Sequence, residues 1–382
     1  MCDQLCIPCT IMRGGTSRAI FLKANDLPAD PAQRDAVILA IFGSPDVRQI
    51  DGLAGADPLT SKLAIIGPPS RPDADVDYTF GQVSIDAPMV DYNGNCGNIS
   101  SAVGPFAVDE SLVAAREPVT RVRIHNTNTH KILNADVQVQ DGKARVSGDF
   151  AIAGVPGTGA PILLDFSGTA GAVSGKALPT GNPADIIETS RGPLEVSLID
   201  VANPCVFVHA RSVGLAGTEG PGEIDGNPEL LRLLEEIRAI ACMRLGMAAS
   251  PEEALRKCPA IPLLAVVSEP AAYTDFTTGR PIGEHEVDLV ARMMFMQVLH
   301  KAYAGTGTAC TAAAAKIPGT IVNRVVPEVE TKTTIRIGHP SGVIPAIGGY
   351  RDGRVEQASF IRTARRIMDG YAYVEKARIQ MK

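Results

Sequence analysis

The sequence has no run of lysine or arginine, and its formal net charge is −6. Such a chain lacks the electrostatic footprint that binds a nucleic-acid backbone or an anionic membrane surface, so no nucleic acid and no membrane are expected as partners. Any acidic ligand has to be held by local groups. No uninterrupted apolar stretch approaches the roughly 18 residues of a membrane span. The opening "MCDQLCIPCTIM" has no basic segment leading into a long apolar one, which sets the expectation of a cytoplasmic protein. There is no His-Glu-x-x-His, no acidic loop and no second cysteine pair to complete a site with Cys6-Ile-Pro-Cys9, so no metal is expected. "GTGTAC" has neither a P-loop Lys-Ser/Thr nor the strand, helix and later acid of a dinucleotide site, so no nucleotide is expected either.

What remains is an ordinary globular composition, 45% hydrophobic and 20% charged, in a chain of 382 residues, long enough for two domains. In a reducing compartment its eight cysteines are free thiols, each core filler, metal ligand or reagent. Helices announce themselves by their ends. Asp30-Pro31 opens a segment with Val37, Ile38 and Ile41 on one face, stopped by Gly43. Asn227-Pro228 opens another, with Leu230, Leu231, Leu233, Leu234, Ile237 and Ile240 at helical spacing. Periodicity predicts a third helix from about Glu284 to His300. "TRVRIHNT", "NADVQVQ", "ARVSGDF", "LEVSLIDV" and "TTIRIGH" read as strands. Strands dominate without the regular strand-helix alternation of a doubly wound sheet, which makes the class α+β.

A weak internal repeat divides the chain. "CTIMRGGTSRAIFL" places a glycine-bearing turn between two apolar strands and is followed by the glycine-rich turn at Cys96. "SLIDVANPCVFVHA" repeats the arrangement and is followed by "YAGTGTACTAAAAKIPG". The seam falls in the Gly/Pro-rich stretch 168–185, giving domains 1–185 and 186–382, with the turn and helix 305–316 in the second.

Cys96 stands between asparagines and glycines just before Ile99, Ala102, Val103 and Phe106, which fall at helical spacing. A cysteine at a helix N-terminus ionises more readily, and the outward N–H groups there favour an anion. The competing reading is a small buried cysteine in a glycine turn. Pro105 argues for a kink or early end of this helix. Gly305-Thr306-Gly307-Thr308 opens the second such helix, an alanine-rich run stopped by Pro318-Gly319.

"MRGGTSRAIFL", "GADPLTSKLAII", "NGNCGNISSAVGPFAV", "LHKAYAGTGTACTAAAA" and "GHPSG", in this order, resemble the PrpF-like isomerase family from about residue 10 to 345. The resemblance implies a diaminopimelate epimerase-like fold. That fold has two similar domains, each a β-barrel-like sheet around a central helix, with the active site in the cleft between them and a C-terminal segment able to return to the first domain. Where the epimerases carry a second catalytic cysteine, this chain has Ala304. The resemblance instead implies a catalytic pair of Lys62 in "TSKLA" and Cys96 in "NCGN". The implied activity is cofactor-independent isomerisation of a small unsaturated di- or tricarboxylate. Length and spacing are most similar to the members acting on 3-methylitaconate, with 2-methylaconitate and 4-oxalomesaconate as alternative substrates. A homo-oligomer is implied by the family alone, and a carboxylate-binding protein of the same fold is the non-enzymatic alternative.

Thr16 and Ser17 in the first turn, Gly97 and Asn98 after the cysteine, and Gly305, Thr306, Gly307 and Thr308 in the second turn are candidate substrate-binding residues. Turn hydroxyls compete for the same role by capping local backbone. His300 is a carboxylate donor or a helix-end cap, and Ser341 in "IGHPSG" a further donor. Cys2, Cys6 and Cys9 have an iron–sulfur spacing, but Cys2 follows only Met1, and packing in an initial strand is the better account.

Overall fold

The computed structural model describes residues 3–379. The chain forms two compact units. One comprises Met1–Ala151, Gly157–Leu163 and Arg362–Lys382, and the other Ile152–Pro156 and Leu164–Ile361.

In the first unit β1 (Gln4–Gly14) and β2 (Ser17–Lys23) form a hairpin closed between Gly14 and Ser17. Helix α1 (Pro31–Phe42) leads to β3 (Lys62–Gly67), which lies parallel to β2 with Ala19 opposite Lys62. β4 (Val76–Val83) runs antiparallel to β3 and sets Gln82 opposite Lys62. After the short β5 (Val90–Asp91) comes α2 (Gly97–Asp109), then β6 (Val119–Asn126) parallel to β4 and β7 (Lys131–Gln140) antiparallel to β6. The strand Ala364–Glu375 returns to pair with β1 along its length.

The second unit repeats this order. β8 (Asp185–Thr189) precedes the hairpin of β9 (Gly192–Val201) and β10 (Asn203–His209). Helix α3 (Pro228–Arg244) leads to β11 (Leu263–Ser268), parallel to β10, and β12 (Leu289–Phe295) is antiparallel to β11. Helix α4 (Gly305–Lys316) then precedes β13 (Ile335–His339), parallel to β12, and β14 (Gly342–Arg351), antiparallel to β13. Both units therefore pair antiparallel, parallel, antiparallel, parallel, antiparallel, with one helix after the hairpin and one before the second parallel strand.

The two kinds of helix are built differently. The Asp30 carboxylate accepts from the Gln33 N–H to start α1, and Val37, Ile38, Ile41 and Phe42 bury one face against β2 and β3. Each contributes about 1.5–3 kcal/mol by leaving water. Asn227 caps α3 in the same way, and Leu230, Leu233, Leu234 and Ile237 pack on β9, β10 and β11. By contrast α2 is buried from Gly97 to Val108 and α4 from Gly305 to Ala315, so these two are core on every side. Small side chains permit that: a Cβ on Gly348 of β14 would overlap the Ala312 carbonyl of α4.

Three expectations are corrected. Residues Glu284 to His300 are not a helix: a single tight turn at Glu284–Glu286 leads into β12, and Met296 and Gln297, both at positive φ, turn the chain into the short strand Val298–Leu299. A strand buried on both faces is a continuous apolar run whose period cannot be told from that of a buried helix. "ARVSGDF" is strand only at Ala144, in the short pair Lys143–Ala144 with β7; the Arg145 N–H still donates to the Gln138 carbonyl of β7, and from Val146 on the backbone bonds Gly159 and Ala160 instead. The early end that Pro105 allowed for α2 does not occur, since the helix runs four residues past it to Asp109. Cys6 and Cys9 lie on β1, whereas Cys2 is outside the described residues. Among the described residues no helix is long and apolar enough to cross a bilayer, and no group of three His, Cys, Asp or Glu is placed to hold a metal ion.

Candidate active site

Lys62 is the first residue of β3 and is 2% exposed. Its Nζ donates to Gln82 Oε1 at 2.6 Å and lies 5.4 Å from the centre of the Phe80 ring. Burial lowers its pKa by penalising the ammonium form, while the charges of Cys96 and Asp57 pull the other way. A lysine so placed has a neutral amine more accessible than one in water.

Cys96 caps α2 in extended conformation (φ −113°, ψ 102°), and its side chain makes no capping hydrogen bond. It is partly exposed. The first-turn N–H groups that follow, at Gly97 and Asn98, have no acceptor within the helix and carry the positive end of its dipole. The sulfur is near enough to Lys62, Arg362 and Tyr78 for a thiolate there to act on all three. Tyr78, on β4, is fully buried, and burial together with that charge pushes its phenol well above the usual value.

The β1–β2 turn lies against this helix start. Gly15 has φ +51°, and a Cβ there would sit 2.9 Å from both Asn98 Cγ and Arg362 Cδ. The close approach lets Asn98 Nδ2 donate to Thr16 Oγ1 at 3.1 Å, while Arg362 Nε donates to Asn98 Oδ1 at 2.8 Å. Arg362 is 3% exposed, and burial lowers its pKa to about 9 against the opposing influence of Cys96. Ser17, 3% exposed, has a hydroxyl with no hydrogen-bond partner. A buried donor in that condition costs about 1–3 kcal/mol unless something accepts from it, so the turn is suited to a bound oxygen ligand.

In the second unit the corresponding cap is Ala304, again extended and without a side-chain bond. Asn203 Nδ2 donates to Thr306 Oγ1 at 3.1 Å, joining the β9–β10 turn to the first turn of α4 as Thr16 and Asn98 join theirs. Thr308 Oγ1 donates to the Ala304 carbonyl at 3.0 Å, as Ser100 Oγ does to that of Cys96. Gly305 and Gly307 belong to the same buried turn. His300 is buried, and its Nδ1 accepts from the Ala302 N–H at 3.1 Å. The Ser341 N–H donates to His339 Nδ1 at 3.3 Å, and the His339 ring stacks 6.4 Å from Tyr303.

The structure thus gathers Lys62, Cys96, Thr16, Asn98 and Ser17 within the first unit, and Thr306, Thr308 and His300 around the start of α4. Sequence reasoning missed Gln82, Tyr78 and Arg362. Gln82 had no local signal in "FGQVS", and Arg362 is one of several arginines in "IRTARR", 264 residues from the asparagine it holds.

Two units of one topology, each with a buried helix whose first turn meets a hairpin, constitute the diaminopimelate epimerase-like fold, and the chain is an enzyme of the isomerase class. It belongs to the PrpF family, whose model, described as PrpF protein, matches residues 4–375. The 3-methylitaconate isomerase of Eubacterium barkeri is 66% identical over 99% of this chain and 100% of its own. The crystal structure of a methylitaconate Δ-isomerase superposes with a TM-score of 0.84 at 65% identity, covering 100% of this chain and 98% of that one. A hydroxyproline epimerase from Agrobacterium vitis, 13% identical with a TM-score of 0.58 over 98% of this chain and 94% of its own, shares the fold.

Proposed function

We propose that the protein is a cofactor-independent Δ-isomerase that converts 3-methylitaconate to 2,3-dimethylmaleate, with Lys62 and Cys96 as the proton-transfer pair. The observation that carries the reading is a buried lysine whose charged form is disfavoured, beside a helix-cap thiol and a buried guanidinium. Identity of 66% to a 3-methylitaconate isomerase over the full length supports the choice of substrate.

The chemistry follows from these groups. The neutral Lys62 amine takes the proton from the methyl-bearing carbon next to a carboxylate and becomes an ammonium ion. The electron pair left behind spreads onto the adjacent carboxylate and, through the C=C bond, onto the far methylene carbon, making a dienolate. The Cys96 thiol then gives its proton to the former methylene carbon, which becomes the new methyl group. A proton passed from ammonium to thiolate, directly or through solvent, restores the pair, and the reverse reaction exchanges the roles. The N–H groups of Gly97 and Asn98 and the hydroxyl of Ser17 hold a carboxylate as charge develops on it. Thr16 acts through Asn98. In the second unit the first turn of α4, with Gly305, Thr306, Gly307 and Thr308, offers a further anion-favouring terminus, and His300 and Ser341 are additional donors. The reading includes a cytoplasmic location and a homo-oligomer.

Incubation of 3-methylitaconate with the protein and a chelator in D2O tests it. Deuterium should enter the substrate and the product methyl group, and Lys62→Ala and Cys96→Ala should each abolish turnover. Bound substrate without exchange would instead identify a carboxylate-binding protein. Faster turnover of 2-methylaconitate or 4-oxalomesaconate would move the assignment within the family.

A further inference from the structure

Gln82, a buried residue, makes three hydrogen bonds whose directions define one another. Its Nε2 donates to the carbonyls of Pro58, at 3.2 Å, and Ser61, at 3.0 Å. Carbonyl oxygens only accept, so the amide must present its NH2 to them, and its oxygen must point to Lys62 Nζ, 2.6 Å away. The flipped amide would set oxygen against two carbonyls and NH2 against the amine. The register of β3 and β4, which places the two residues directly opposite, fixes the distance as firmly as the direction.

We propose that Gln82 is a positioning residue that keeps Lys62 usable as a proton carrier, because it supplies an acceptor of fixed direction and no charge. The inference rests on the role given to Lys62 above. Lys62 donates one N–H to Gln82 in either protonation state, so the lone pair of the neutral amine is aimed away from the Gln82 oxygen. The groups facing Lys62 include Asp57 from the preceding loop, Cys96 from the start of α2, and the Phe80 ring and Gln82 from β4. Arg362 and Tyr78 face Cys96 in turn. A further carboxylate in contact with the amine would hold it as ammonium, typically raising a partner's pKa by about 1–3 units.

The test compares pH profiles of kcat and kcat/KM on 3-methylitaconate for the natural protein, Gln82→Glu and Gln82→Met, with circular dichroism confirming the fold. Gln82→Glu should lose about 10- to 1,000-fold at neutral pH and regain activity as pH rises, its acidic limb displaced upward by about 1–3 units. Gln82→Met should lose kcat with little change in KM and no recovery at high pH. A merely structural glutamine would lower the whole profile and leave its limbs in place, and that result overturns the proposal. A second measurement does not need turnover: the 13Cε signal of Lys62, identified by its absence in Lys62→Met, is titrated in each variant. Its midpoint should rise in Gln82→Glu and fall in Gln82→Met. Unmoved midpoints sink the Gln82 proposal, whereas moved midpoints in a protein that exchanges no deuterium sink only the isomerase reading.

Discussion

Substituting alanine for Gly15 probes how tightly the β1–β2 turn is seated on the start of α2. An alanine at φ +51° occupies the left-handed region, which costs about 1–2 kcal/mol. The added Cβ also lands on the Asn98 carboxamide, with Asn98 Cγ and Arg362 Cδ both 2.9 Å away. A side chain normally yields to such a contact, but this one is gripped from both sides, by Arg362 Nε at 2.8 Å and through its own donation to Thr16 at 3.1 Å. Moving it gives up a charge-assisted bond in a buried setting, a further ~1.5–3 kcal/mol. The whole effect is about 2.5–5 kcal/mol. Gly142 is the natural control: its φ is +71°, yet a Cβ there meets nothing within 4 Å, so Gly142→Ala should lose only the backbone contribution. At about 1.2 °C per kcal/mol for a chain of 382 residues, Gly15→Ala should melt roughly 2–4 °C below Gly142→Ala. It should also isomerise substrate more slowly, since Asn98 is two residues from Cys96. Equal melting temperatures for the two variants would refute the claim that the Arg362–Asn98–Thr16 chain is a rigid seat.

Two further tests use charge. The charge of Asp57 favours the protonated form of Lys62 against the larger effect of burial, so Asp57→Asn, which keeps the acceptor for the Leu59 N–H, should move the acidic limb of the activity profile to lower pH. An unchanged limb would mean that another group sets it. In the second unit burial alone would raise the pKa of Asp288, but hydrogen bonds from Arg336 at 2.7 and 2.9 Å and an ion pair with Lys332 at 3.0 Å hold it below the usual carboxylate value. The sign follows: its contribution is complete above the unfolded carboxylate value near 4 and is lost as pH falls through the lower folded value. Urea midpoints should show Asp288→Asn weaker by about 1–3 kcal/mol at pH 7, with the difference narrowing below about pH 4.

What the sequence determined by itself is local. Asp30, Asn227 and the glycine-rich turns before α2 and α4 declare helix starts because a cap needs only the residues within three or four positions of it. Cys96 stood out for that reason, and Lys62 only through the family resemblance. The tertiary structure decided what surrounds them. Gln82 reaches Lys62 across 20 residues because β3 and β4 pair in one register, and Arg362 reaches Asn98 across 264 because the chain returns to the first unit after completing the second. β12 escaped for the complementary reason: its run of buried residues carries no period, and only the strands on either side of it decide that it extends rather than coils.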